Sequence, residues 1–169
     1  SEVTVGDGII SAAADYAKAL STTQNTNSRG NADVTKEGDY IKDPSTAVQI
    51  ITLEEGTVAG TFAFNVGGGY LYAASGSSNH LKTQTSNNAN GSWKIEIADS
   101  GVATIKAQGT NSRNWLRYNP TNSTGPIFSC YASGQSDVAI YKLPNTKPAI
   151  VASNIQVDEF GVENATASY

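Results

Sequence analysis

The chain has 169 residues, of which 38% are hydrophobic and 8% aromatic, and a net charge of −4 at neutral pH. That length holds one domain and little more, since domains usually take roughly 100–200 residues. Mild negative charge with scattered lysines argues against a phosphate-tracking surface, so no nucleic-acid partner is expected, and the single cysteine, Cys130, excludes an internal disulfide or a cysteine-based zinc cage.

Abundant glycine, serine, threonine and asparagine, with apolar residues singly or in pairs, suit many short strands joined by polar turns. The first unit runs from about Gly6 to Gly56, with apolar landmarks at Ile9-Ile10, Ala17 to Leu20, Val34, Tyr40-Ile41 and Val48 to Leu53. Within it, Ala12 to Leu20 has helix propensity. Two strands are expected there instead, because the later units read strand, turn, strand at the same place and stacked repeats reuse one local unit.

The second unit opens with the period-two stretch Thr61 to Val66, turns at Gly67-Gly68-Gly69 and enters Tyr70-Leu71-Tyr72-Ala73. Those glycines mark a turn and not a phosphate loop, because β-favouring residues follow where a helix N-terminus would be needed. After Leu81 and a polar run, Trp93-Lys94-Ile95-Glu96-Ile97 alternates and should turn Trp93, Ile95 and Ile97 inward. The third unit repeats the layout with Val102 to Ala107, Trp115 to Tyr118, Phe128 to Tyr131 and Val138 to Leu143.

Three segments recur at an interval of 45 residues: Val48-Gln49-Ile50, Trp93-Lys94-Ile95 and Val138-Ala139-Ile140. Tyr70-Leu71-Tyr72 and Trp115-Leu116-Arg117 keep the same interval, and Ala19-Leu20 is a looser first copy. Four strands in each of three units predict an all-β fold, a β-trefoil-like barrel with pseudo-threefold internal repeats over residues 1–143. The prolines of Pro144-Asn145-Thr146-Lys147-Pro148 break the rhythm, so residues 144–169 are expected to be a linker and the start of a following immunoglobulin-like β domain, or a packed tail.

Acyl-transfer chemistry needs a nucleophile, a base and an orienting group. His80 is the only histidine and no glycine-x-serine-x-glycine elbow occurs. The acidic residues Asp33, Glu37, Asp39 and Asp43 read as a solvated surface and lack calcium-loop spacing. No enzyme activity, metal or other cofactor is expected. If Leu71 and Leu116 are core, alternation turns Tyr70, Tyr72, Trp115 and Arg117 outward as stacking surfaces, with Asn119, Gln135 and Asp137 nearby to bind hydroxyls. These seven are the candidate ligand-binding residues.

The segments Trp93-Lys94-Ile95, Gly101 to Ile105, Trp115 to Asn119, Phe128 to Gln135 and Val138 to Leu143 resemble an accessory β module of secreted Bacteroidetes-type multidomain proteins, found beside nuclease-like or immunoglobulin-like domains. The pattern is also similar to the ricin-type β-trefoil lectins, but departs from their glutamine-x-tryptophan motif in all three copies. The resemblance implies a non-catalytic binding or spacer module, secreted or attached to the cell surface. A glycan, a cell-surface protein or a neighbouring domain of the same chain is the expected partner. The alternative is a structural role, orienting a catalytic or adhesive neighbour. No run of about 20 apolar residues suits a membrane-spanning helix, and Ser1 does not open a signal sequence, so any targeting segment is expected outside this chain.

Overall fold

The structure is a computed structural model that describes residues 3–13 and 16–143; the expected linker and following segment at 144–169 lie outside these residues. Among the described residues the chain is all-β, without an α-helix and with one 3-10 turn at Ala89–Gly91. The first unit comprises β1 (Gly6–Ala12), β2 (Lys18–Gln24), β3 (Arg29–Asp33), β4 (Thr35–Glu37), β5 (Tyr40–Lys42) and β6 (Ile51–Glu55). The second comprises β7 (Phe62–Asn65), β8 (Tyr70–Ala73), β9 (Leu81–Gln84) and β10 (Trp93–Ile97), and the third β11 (Ala103–Ala107), β12 (Trp115–Asn119), β13 (Ile127–Tyr131) and β14 (Val138–Lys142).

The helix-prone stretch is split between β1 and β2, as expected from the repeat. Tertiary packing overrides local propensity here: Ile10, Ala12 and Leu20 enter the main core, and the Ser11 hydroxyl donates to the Lys18 carbonyl at 2.9 Å. Leu20, Leu71 and Leu116, the matched landmarks of the three hairpins, are all fully buried. Around them lie Leu53, Phe64, Trp93, Ile105 and Phe128, with Ile95 and Ile97 packed at the edge.

Followed from β1, antiparallel pairings lead through β6, β7, β10, β11 and β14 back to β1. Their registers repeat. Within the three units Gly8 faces Ile51, Phe62 faces Trp93 and Ala103 faces Val138. Ile51, Trp93 and Val138 are therefore the equivalent positions, and the expectation for the first copy is corrected by three residues. Val48 forms only an isolated bridge to Ser21, and Ile50 is 38% exposed.

The reason for the slip is an addition to the first unit. The ribbon formed by β4 and β5 stands between β3 and β6 and has no counterpart among the described strands of the other units. It brings Ile41 into a second core cluster with Ile9, Ala19, Ala32 and Val48, against which Tyr141 and Leu143 pack. Ile9 and Tyr141 are opposite each other in the β1–β14 ladder, next to Ile10 of the main core and Ile140, which packs against that core. Period-two alternation thus gives this ladder two apolar faces, and the ribbon covers the second.

Candidate functional site

The three hairpins, β2–β3, β8–β9 and β12–β13, meet through polar contacts between units. Gln24 donates its side-chain amide to the Leu81 carbonyl at 3.0 Å and accepts from the Thr83 hydroxyl at 2.9 Å. Leu81 N–H donates to the Asn27 carbonyl at 2.9 Å, the Ser129 hydroxyl to the Asn79 carbonyl at 2.7 Å, and the Asn31 amide to the Pro126 carbonyl at 2.6 Å. Such convergence explains why loop residues distant in sequence line one hollow.

That hollow has a volume of about 360 Å³. Asn27 and Ser28 come from the first unit, Asn79 and His80 from the second, and Asn119, Asn122, Ile127, Tyr131 and Gln135 from the third. Its lining is mostly amide, with one imidazole and one phenol. Some of these groups are committed: Asn119 donates to the Tyr131 hydroxyl at 3.1 Å, Asn79 accepts from Arg113 at 2.9 Å and Asn122 donates to the Gly125 carbonyl at 3.0 Å. The side chains of His80, Gln135 and Asn27 make no such bonds among the described residues. Burial pushes the Tyr131 phenol up, against the pull of the Asn119 bond, so Tyr131 keeps a proton to donate.

Gln135 also lines a second hollow, of about 270 Å³, together with Ala13, Tyr16, Arg117, Ser136 and Asp137. Its wall is organised by one guanidinium. Arg117 donates from Nε to the Ser136 carbonyl at 3.1 Å, and from Nη2 to the Gln135 carbonyl at 3.0 Å and the Asp137 carboxylate at 2.8 Å. Burial pushes the Arg117 pKa down while Asp137 pulls it up; arginine remains charged in either case.

The structure corrects the expected outward aim of Arg117, which is 7% exposed and is spent on the 135–137 loop. Alternation fails as a guide because the loop folds back over β12, with Tyr118 and Ser136 exchanging backbone hydrogen bonds at 3.1 and 2.8 Å. Trp115 is half-buried, with Arg117 at 4.0 Å and Lys106 at 4.6 Å from its ring centroid, and its indole nitrogen is buried without a partner among the described residues. The ring thus already stacks on protein cations. Asn119, Gln135 and Asp137 do line the hollows, as Arg117 does from beneath. Tyr70 and Tyr72 do not join them: both lie on β8, with Tyr70 donating to Glu54 at 3.3 Å and Tyr72 opposite Lys82.

Sequence reasoning missed Asn27, Asn79, Asn122 and Tyr131 and weighed His80 only as a base for acyl transfer. The available signal was topological: a threefold arrangement brings its hairpin turns together, so polar turn residues one unit apart are neighbours. The other candidates are accounted for locally. Cys130 is fully buried and its thiol is pushed far up by burial, as an inert core residue would be. Asp33 pairs with Lys18, and Glu37 pairs with Lys42 and accepts from Tyr40. No group of three or more metal-ligating side chains occurs among the described residues.

Several solved structures share this fold at low identity. Polyporus squamosus lectin, in a structure with the human-type influenza-binding epitope Neu5Aca2-6Galb1-4GlcNAc bound, matches 85% of the chain with a TM-score of 0.61 and 15% identity. The chain spans about half of that lectin, 51% of its length. Cytolethal distending toxin from Actinobacillus actinomycetemcomitans matches 86% of this chain and 95% of its own at TM-score 0.57 and 17% identity. The Haemophilus ducreyi toxin matches 88% and 89% at TM-score 0.56 and 16% identity. The likeness is one of fold, and that fold is all-β. No family model matches the sequence, and no curated protein matches it either.

Proposed function

We propose that this chain is a non-catalytic carbohydrate-binding module of β-trefoil fold, working within a secreted or cell-surface protein. The circuit of six pairings with its repeated registers supports the trefoil reading. The likeness to Polyporus squamosus lectin, solved with a glycan epitope bound, supports the class of ligand. One observation carries the reading furthest: the hollow to which all three hairpins contribute offers amide, imidazole and phenol groups with spare hydrogen-bonding capacity. Sugar hydroxyls donate and accept together, as do amide side chains, so such a lining suits a neutral polyol better than an ion.

In this reading His80, Gln135, Asn27 and Tyr131 meet the ligand, and Asn119 aims Tyr131. Arg117 is a positioning residue, Trp115 supports it, and Tyr70 and Tyr72 fall outside this site. A glycan array of the labelled wild-type chain, followed by titration of the hits, tests it. His80→Ala and Gln135→Ala should each weaken binding by about tenfold or more, a loss comparable to one or two hydrogen bonds, with near-ultraviolet circular dichroism unchanged. Binding to no glycan would instead favour a spacer that orients a neighbouring domain.

A further inference from the structure

Resting on the carbohydrate reading, we infer that the site takes an extended, neutral oligosaccharide, bound in two subsites with Gln135 as the divider. Gln135 lines both hollows, and its side chain is exposed and unpaired among the described residues. Its backbone has φ 65°, a conformation that costs a non-glycine residue free energy and persists where the surroundings enforce it. Here the enforcing group is the buried Arg117 guanidinium, which holds Gln135, Ser136 and Asp137 together. The backbone that carries the divider is therefore held in place before any ligand arrives.

The two sides differ in chemistry. The hollow of three hairpins is polar and suits the hydroxyl-rich edge of a ring. Beyond Gln135, Tyr16 offers an aromatic ring that is 39% exposed and held edge-on by Tyr118 at 5.1 Å between centroids. An apolar sugar face can stack on such a ring. Against the roughly 300–1,000 Å³ typical of ligand sites, the first hollow, at about 360 Å³, is near the lower limit and the second, at about 270 Å³, falls below it, so a ligand gains by crossing Gln135 to fill both.

Charge selects within the sugars. The side chain of Asp137 is 52% exposed beside Tyr16, whereas Arg117, the one lysine or arginine lining either hollow among the described residues, is buried and neutralised by that same carboxylate. An acidic sugar at the Tyr16 side meets repulsion with no free counter-charge. Neutral chains are favoured.

Titration calorimetry of the full chain against neutral ladders of one to four glucose, mannose, galactose or N-acetylglucosamine units separates the possibilities. Affinity should rise by about tenfold or more from one unit to two or three. Tyr16→Ala should erase that rise so that short and long members bind alike, and Tyr16→Phe should keep it. His80→Ala should weaken every length. Equal affinity along a ladder that does bind, a rise that survives Tyr16→Ala, or tighter binding of uronic-acid than of neutral ladders would each overturn the two-subsite inference while leaving the carbohydrate reading in place. Failure of all ladders and of the glycan array overturns both.

Discussion

Trp93 concentrates several kinds of contact in one side chain. It is fully buried, its ring stacks on Phe64 at 5.4 Å and 17°, and its indole N–H donates to the Leu71 carbonyl at 3.2 Å. Truncating it removes a large apolar volume and leaves the Leu71 carbonyl short of a partner. Trp93→Ala should therefore cost about 3–5 kcal/mol, which urea unfolding would report as a lower midpoint. An unchanged midpoint would contradict the packing. Trp115 is the informative contrast. It belongs to a repeated landmark too, yet it spends its ring on Arg117 and Lys106, so its role concerns the 135–137 loop more than the core.

At the scale of the elements, the sequence revealed strand content, hairpin order and the equivalence of Leu20, Leu71 and Leu116, because apolar alternation records which side of a strand is buried. It concealed the register of β6. Val48 and Ile50 mimic the alternation of Trp93 and Ile95, but the β4–β5 ribbon supplies a second apolar environment, so Val48 is buried for a different reason. Two substitutions separate the registers. Ile51→Ala should cost about 2–5 kcal/mol as a core truncation, whereas Ile50→Ala should stay within about 0.5 kcal/mol as a surface change. Comparable losses at both would restore the 45-residue alignment. The site was less legible than the fold, since alternation within one strand cannot say which loops of three units meet, nor that the loop after β13 folds over Arg117.

On the scale of the whole molecule, stability depends on joining the two ends of the described chain. β14 pairs with both β1 and β11, so the circuit of ladders is complete only when residues near positions 8 and 142 meet. Gly8 is the narrow point of that junction, paired with Ile51 on one side and Lys142 on the other. A Cβ there would lie 2.9 Å from the Tyr141 carbonyl oxygen, a backbone atom that can yield only by moving the strand. Gly8→Val should therefore destabilise by about 1–3 kcal/mol, the usual range for overpacking. Because each unit supplies part of one core, the loss should be felt everywhere at once. Far-ultraviolet circular dichroism and tryptophan fluorescence, which reports on Trp93 in the second unit and Trp115 in the third, should give coincident unfolding curves in both wild type and Gly8→Val, shifted together. Separate transitions would mean that the units fold independently. A hollow lined by all three would then lose its walls one at a time, and ligand would stabilise only part of the unfolding curve.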